Sequence, residues 1–276
     1  MAERRLAVLG SPISHSKSPA LHRAAYDRLG LDWSYEAVEV DGPALPAFLG
    51  GLAPDWRGLS LTMPLKQDVL PLVDELDRVA RLTGAANTLL LADDGRRLGF
   101  NTDVGGIVRA VREAGRSAVA RGVLLGAGAT AASALAALHE LGAAEVTVFA
   151  RTPGRAAPIV ALGARLGVAV RVEPIDALGR APGADLVVST VPGGTELPHE
   201  ASVALRTEAT LFDVAYDPWP SRLAVSWLDA GGEVIHGLGM LLHQALLQVR
   251  VFVAGDPATP LAGEDEVLAA MRAAVL

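Results

Sequence analysis

Two side chains of opposite charge carry the first chemical suggestion in this 276-residue chain. Lys66 closes the stretch Gly58-Leu59-Ser60-Leu61-Thr62-Met63-Pro64-Leu65-Lys66, and Asp103 closes Asn101-Thr102-Asp103. An amine and a carboxylate placed together can move a proton, the amine as acid/base and the carboxylate as its partner. A free lysine titrates at roughly 10.4, so that role needs tuning. Burial lowers the value and a neighbouring Asp103 raises it, and the residues alone leave both open. Downstream lies Gly126-Ala127-Gly128-Ala129-Thr130-Ala131. Its first glycine permits a tight turn, its second lets backbone approach a pyrophosphate, and the small Ala131 lets a helix pack on a strand. A protonated amine donating to a carbonyl as hydride arrives, beside a dinucleotide cradle, points to hydride transfer.

Any single Lys or Asp is usually surface charge. Here Thr62, Asn87-Thr88 and Asn101-Thr102 lie nearby at predicted strand ends, where α/β folds put ligands. Ser14 and Ser16, in Ser14-His15-Ser16-Lys17-Ser18-Pro19, follow the first strand. Their hydroxyls and neighbouring N–H groups suit a carboxylate. Ser18 is expected to cap a helix with Pro19 at its first position, and His15 to shape the loop. His22, His139, His199, His236 and His243 have no metal-ligand spacing, so no metal is expected.

The residues after the next strand bear on cofactor choice. An acid there would hold the ribose 2′-hydroxyl of NAD. This chain has Ala150-Arg151-Thr152-Pro153-Gly154-Arg155, and two guanidinium groups suit a 2′-phosphate. NADP is therefore the expected cofactor, against the plainer reading of a solvated basic corner.

These residues need elements to hold them. Strands are predicted at Leu6–Leu9, Tyr35–Val40 and Leu59–Thr62, with helices from Ser18 to Leu29 and from Pro43 to Leu49. Val73–Leu82 reads as an amphipathic helix, and Thr88–Leu91 with Asp93-Asp94-Gly95 as a hairpin. Beyond Val104, strands at Val123–Leu125, Glu145–Ala150, Val168–Val172, Asp185–Ser189 and Thr210–Asp213 alternate with helices at Val104–Ala114, Thr130–Leu141 and Pro153–Leu166. That pattern implies a doubly wound parallel sheet. Met240–Val253 and Glu264–Val275 read as closing helices.

Composition bounds the rest. The chain is 51% hydrophobic, 20% charged and only 4% aromatic, so its core is aliphatic. A net charge of −7 argues against a nucleic-acid surface. No cysteine is present, which excludes disulfides and thiolate chemistry and fits a cytoplasmic protein. The start is too short in apolar run for a secretory signal, and no apolar run approaches the roughly 20 residues of a membrane span. A soluble protein with no membrane partner is expected.

Taken in order, these motifs resemble the shikimate dehydrogenase family over nearly the whole chain. Ser14 to Pro19 looks like its carboxylate loop, and Ser60 to Lys66 like its lysine motif. Gly84-Ala85-Ala86-Asn87-Thr88 and Asn101-Thr102-Asp103 look like its two Asn-Thr elements. Tyr216, and Gly237-Leu238-Gly239-Met240-Leu241 followed by Gln244, resemble its closing segment. The resemblance implies two α/β domains: residues 1–103 for substrate, residues 104–239 as a Rossmann-like NADP domain, and residues 240–276 as helices returning to the first. A cleft between the domains would close on both ligands. It implies reversible NADPH-dependent reduction of 3-dehydroshikimate to shikimate, on the route to chorismate and the aromatic amino acids. Ser14 and Ser16 would hold the carboxylate. Thr62, Lys66, Asn87, Asp103 and Gln244 would meet ring hydroxyls, with Tyr216 nearby. Gly126, Ala127, Gly128, Ala129, Thr130, Ala150, Arg151, Thr152, Arg155, Thr190, Val214 and Gly237 would line the cofactor. Monomer and homodimer both fit.

The family commonly has Asn where this chain has Arg23, Ser60 and Ala150, and Asp where it has His236. Ala150 takes away a contact to the adenosine ribose, whereas Ser60 still hydrogen-bonds. Two rivals differ by residue: an NAD-dependent quinate/shikimate dehydrogenase would carry an acid in place of Arg151, and a non-catalytic NADP sensor would not need Lys66 or Asp103.

Overall fold

Side-chain alternation in the first strand sets the first sheet between two cores. The computed structural model describes residues 3–275. In chain order the first elements are β1 (Arg4–Gly10), α1 (Ser18–Leu29), β2 (Trp33–Glu39), α2 (Leu45–Gly50), β3 (Trp56–Leu61), α3 (Leu65–Asp68), β4 (Glu75–Leu76), α4 (Arg78–Thr83), β5 (Thr88–Leu91) and β6 (Arg97–Phe100). They continue as α5 (Asp103–Glu113), β7 (Arg121–Leu125), α6 (Ala129–Glu140), β8 (Glu145–Ala150), α7 (Ala157–Leu166), β9 (Ala169–Pro174), β10 (Leu186–Ser189), α8 (Val203–Glu208), β11 (Thr210–Asp213), α9 (Arg222–Asp229), β12 (Val234–His236), α10 (Leu238–Ala254) and α11 (Glu264–Ala273). The chain forms two units, one running to Thr102 and resuming at Leu241, the other Asp103–Met240.

The first unit holds a mixed sheet of order β2-β1-β3-β5-β6-β4. Strands β1, β2 and β3 run parallel, while β5 is antiparallel to both β3 and β6. Leu6 and Val8 join a core with residues of α1, α10 and α11. Ala7 and Leu9 face the opposite way and pack with residues of α2 and α3, as a two-residue period requires. Helix α10 docks closely here. A Cβ on Gly58 of β3 would lie 2.5 Å from the Phe252 ring and 2.8 Å from the Leu89 carbonyl, so only glycine fits. Arg57 Nε donates to the Phe252 carbonyl at 2.8 Å.

The second unit holds six parallel strands in the order β12-β11-β10-β7-β8-β9. The chain starts in the middle at β7, builds outward through β8 and β9, then returns to build the other half. The carboxyl ends of β7 and β10 therefore flank the reversal point, where such sheets bind ligands.

Several expectations change. Val73–Leu82 is not one helix: Asp74 N–H and Asp77 N–H donate to the Arg97 and Gly99 carbonyls, making β4 a strand beside β6. Asp77 then caps α4 by accepting from Ala80 N–H at 2.6 Å. Ser18 lies inside α1 and does not cap it; the Ser16 hydroxyl accepts from Ser18 N–H at 3.3 Å instead. Helices α8 and α9 and strand β12 were not anticipated; Ser202 and Ser221 cap the two helices. Helix α10 starts at Leu238, two residues early, because His236 Nδ1 accepts from Leu238 N–H at 2.8 Å. The window Gly237–Ala254 is long and apolar enough to cross a membrane by length and composition, but 72% of it is buried in the protein, which makes it a core helix.

His22 of α1 is fully buried, its ring stacked 4.0 Å from that of Tyr35. Its Nδ1 lies 2.9 Å from the Ser18 carbonyl, and a carbonyl only accepts, so Nδ1 carries the proton. Burial pushes its pKa from 6.5 down to about 4, with the Ser18 contact opposing. The unfolded ring takes up a proton first as pH falls, so the stability contribution is full above pH 6.5 and is lost towards pH 4. His22→Phe keeps a ring there without the titration. Between pH 7 and pH 4.5 the variant is expected to lose about 2 kcal/mol less stability than wild type, measured by denaturant unfolding. Parallel losses would contradict the assignment.

Candidate active site

Asn87 is the hub of a buried polar chain in the first unit. Tyr35 Oη donates to Ser60 Oγ at 2.6 Å, and Ser60 donates to Gln248 Oε1 at 2.9 Å. Gln248 Nε2 donates to the Asn87 carbonyl at 3.0 Å and to Thr88 Oγ1 at 3.2 Å. Thr88 donates to Asn87 Oδ1 at 2.9 Å, and Asn87 Nδ2 donates to Gln244 Oε1 at 3.1 Å. Gln244 Nε2 ends the run on the Leu241 carbonyl at 3.0 Å.

Backbone groups settle every amide in this run, since a carbonyl only accepts and an N–H only donates. The Asn87 carbonyl fixes the Gln248 amide, and the Leu241 carbonyl fixes that of Gln244. Thr102 N–H donates to Asn87 Oδ1 at 2.9 Å, which turns Nδ2 towards Gln244. Burial holds the Tyr35 phenol above its ordinary pKa, against the Ser60 hydrogen bond, so Tyr35 stays a donor. Tyr35, Ser60, Gln248 and Thr88 are almost fully enclosed, while Gln244 at the far end is 8% exposed. Asn101 belongs to the same region, donating to Thr83 Oγ1 at 2.9 Å and the Ala85 carbonyl at 3.0 Å.

The expected lysine lies beside this hub. Lys66 is in the single turn α3, and its carbonyl accepts from Ala86 N–H at 2.8 Å, one residue before Asn87. Thr62 N–H donates to the Leu9 carbonyl and Ser11 N–H to the Met63 carbonyl, tying the lysine loop to the start of the serine loop. Ser14 is exposed and Ser16 half-buried. The structure thus joins Thr62, Lys66, Asn87 and Gln244 to the strand ends of one sheet. Asp103 is the residue after Thr102, buried at the first turn of α5. It and Tyr216 belong to the second unit.

In that unit, β7 runs into Gly126, whose φ is +108°. A Cβ there would lie 2.6 Å from Thr190 Oγ1, and both Thr190 N–H and its hydroxyl donate to the Leu125 carbonyl. Ala127 and Gly128 complete the turn. Helix α6 opens at Ala129 and Thr130, and its Gly128 cap supplies no side-chain acceptor. Its first N–H groups can therefore take an anion. Ala131 is buried against the sheet. Ala150 is buried at the end of β8, and Arg151, Thr152 and Arg155 follow it, exposed. Neither guanidinium has an acid or hydrogen-bond partner among the described residues. Val214 follows β11, and Gly237 packs so tightly on it that a Cβ would lie 2.3 Å from the Val214 carbonyl. Thr190, Val214 and Gly237 thus gather at the carboxyl ends of three neighbouring strands. The turn, bare helix cap and basic corner fit a dinucleotide with a 2′-phosphate.

Residues that sequence reasoning missed hold the site's surroundings. Asp213 ends β11 and accepts from Ser221 Oγ at 2.6 Å and Ala215 N–H at 3.2 Å. Burial raises its pKa, with those hydrogen bonds opposing. It thereby pins both ends of the segment carrying Tyr216. Gln248 has no pattern of its own in the sequence, and Thr88 stands out there only within the Asn87-Thr88 pair; the approach of α10 gives both their partners. Of the departures, Ser60 bridges Tyr35 and Gln248, Arg23 Nε donates to the Tyr35 carbonyl at 3.1 Å, and the His236 ring lies 3.9 Å from that of Trp219. Among the described residues no cluster of three His, Cys, Asp or Glu could hold a metal.

Comparison with known proteins places these features. Residues 8–89 match a family model described as the shikimate dehydrogenase substrate binding domain. Shikimate dehydrogenase (NADP(+)) of Rubrobacter xylanophilus is 38% identical, over 91% of this chain and 90% of the relative. The crystal structure of Mycobacterium tuberculosis shikimate dehydrogenase is 40% identical with a TM-score of 0.84, covering 98% of this chain and 99% of its own. The Thermus thermophilus enzyme, solved in complex with NADP(H) and shikimate, is 34% identical with a TM-score of 0.80, covering 99% of this chain and all of its own. With these similarities extending over both units, the chain belongs to the shikimate dehydrogenase family.

Proposed function

We propose that this protein is an NADP-dependent shikimate dehydrogenase, interconverting 3-dehydroshikimate and shikimate in the synthesis of chorismate and the aromatic amino acids. The observation that carries the reading is the similarity across nearly the full length to a shikimate dehydrogenase (NADP(+)). A bare phosphate cradle in one unit and an ordered set of alcohol-binding groups in the other support it.

NADP, when bound, supplies the acceptor for the hydride leaving the alcohol carbon. The chain's residues do the rest. In the direction of oxidation, Lys66 Nζ in its neutral form takes the hydroxyl proton; in reduction, the ammonium returns it to the new alkoxide oxygen. Asp103 orients that amine. Asn87, Thr62 and Gln244 hold ring hydroxyls, and Ser14 and Ser16 hold the carboxylate, with Tyr216 near the ring. Residues up to Thr102 serve as the substrate domain, to which the closing helices contribute Gln244, and Asp103–Met240 serve as the cofactor domain. There α6 and the turn Gly126 to Thr130 bind pyrophosphate, with Thr190, Val214 and Gly237 lining the nicotinamide end. Arg151 and Arg155, with Thr152, hold the 2′-phosphate beside Ala150.

Assaying shikimate and quinate against NADP and NAD tests the reading: shikimate with NADP is expected to dominate, and no turnover of that pair would overturn it. Arg151→Ala is expected to raise the Michaelis constant for NADP roughly tenfold or more, the worth of a charge-assisted hydrogen bond, while barely moving that for NAD. Equal losses for both cofactors would contradict the 2′-phosphate assignment. Lys66→Ala is expected to lower kcat by roughly 10²–10⁴, the usual share of acid/base catalysis, with substrate binding largely kept. An unchanged kcat would remove Lys66 from the reaction.

A further inference from the structure

The donors and acceptors along the buried run from Tyr35 to Gln244 all point the same way, and Thr88 is where that sense reaches Asn87. A threonine hydroxyl has one hydrogen. Because Gln248 Nε2 donates to Thr88 Oγ1, the Thr88 hydrogen is left for Asn87 Oδ1, 2.9 Å away. Gln248 cannot reverse this, since its nitrogen is also committed to the Asn87 carbonyl. Ser60, pressed by the Tyr35 donor, supplies the hydrogen that Gln248 Oε1 needs. Asn87 Oδ1 is thus held from two different segments, by Thr88 Oγ1 at 2.9 Å on one side and by Thr102 N–H at 2.9 Å with Thr102 Oγ1 at 3.2 Å on the other. Thr88 itself has no exposed surface.

Resting on the functional reading above, we propose that Thr88, oriented by Gln248, Ser60 and Tyr35, is a positioning residue that fixes the Asn87 amide with its nitrogen towards Gln244. It acts through Asn87 rather than on the ligand. Losing the Thr88 restraint leaves the amide oxygen held from Thr102 alone, which loosens it without unfolding the site, and the effect falls on shikimate rather than on NADP.

Two substitutions separate hydroxyl from shape. Thr88→Val keeps the volume and deletes the hydroxyl; Thr88→Ser keeps the hydroxyl and deletes a methyl. Initial rates of shikimate oxidation with NADP are expected to show the shikimate Michaelis constant raised about 3- to 10-fold in Thr88→Val, the worth of one hydrogen bond. The NADP constant is expected to stay within about twofold, since no cofactor group is touched. Thr88→Ser is expected to keep the wild-type shikimate constant even where its melting temperature drops. In an Asn87→Ala background, Thr88→Val should add nothing further, as coupled residues do not act independently. Gln248→Met, which removes the donor to Thr88, is expected to give the same split between the two ligands and stands in if Thr88→Val does not fold. A wild-type shikimate constant in Thr88→Val, a Thr88→Ser variant impaired more than it, or multiplying effects with Asn87→Ala would each overturn the inference. Wild-type protein inactive on shikimate and NADP would overturn the functional reading itself; an active wild type with those results overturns this inference alone.

Discussion

The Asn87 carbonyl, caught between a sheet and a returning helix, is the constraint on which the candidate site depends. It accepts from Leu61 N–H within the sheet at 2.8 Å and from Gln248 Nε2 of α10 at 3.0 Å. One backbone oxygen therefore joins β3, β5 and a helix more than 150 residues away in sequence, as the 161-residue separation to Gln248 records. Gly58 makes this reach feasible by letting Phe252 lie on the strand. Unmade hydrogen bonds in so enclosed a place are costly, so the amides of Gln248, Asn87 and Gln244 have one arrangement each. Rigid polar groups of known polarity are what recognition of a polyol needs, because a hydroxyl reads donors and acceptors by position.

The second unit solves a different problem with backbone. The order in which the chain adds strands reverses between β7 and β10, leaving their carboxyl ends side by side. The left-handed turn at Gly126 and the uncapped start of α6 place N–H groups there without any charged side chain. Charge enters only at the corner after β8, through Arg151 and Arg155. In the proposed function, affinity for the shared pyrophosphate and discrimination at the 2′ position fall to different segments, which lets them vary independently.

Much of this was legible in the sequence because it is local. Strand, glycine turn and alanine-rich helix at residues 121–140 are written consecutively, as are the basic corner and the lysine motif. The hairpin of β5 and β6 announces itself through Asp93-Asp94-Gly95. What the sequence hid depends on distant partners. Val73–Leu82 has a helical pattern, yet the edge of β6 captures its backbone. Ser18 looks like a cap, but Ser16 lies better placed to accept its N–H. Strand β12 is three residues long, too short for any periodicity. Gln248 looks like an ordinary core-facing polar residue until α10 returns to the sheet, and Thr88, legible within the Asn87-Thr88 pair, meets its donor only then. Ser60, Arg23 and His236, which depart from the family pattern, all have hydrogen-bond or ring partners in the fold, which explains how each is accommodated.

In the proposed function Lys66 exchanges the proton of the reacting alcohol. A crystal structure of the protein with shikimate and NADP bound tests it most directly. Lys66 Nζ is expected within about 2.6–3.2 Å of the hydroxyl on the carbon that faces the nicotinamide, with the Asp103 carboxylate on the amine's other side. An amine turned into bulk water, or a different side chain at that hydroxyl, would contradict it.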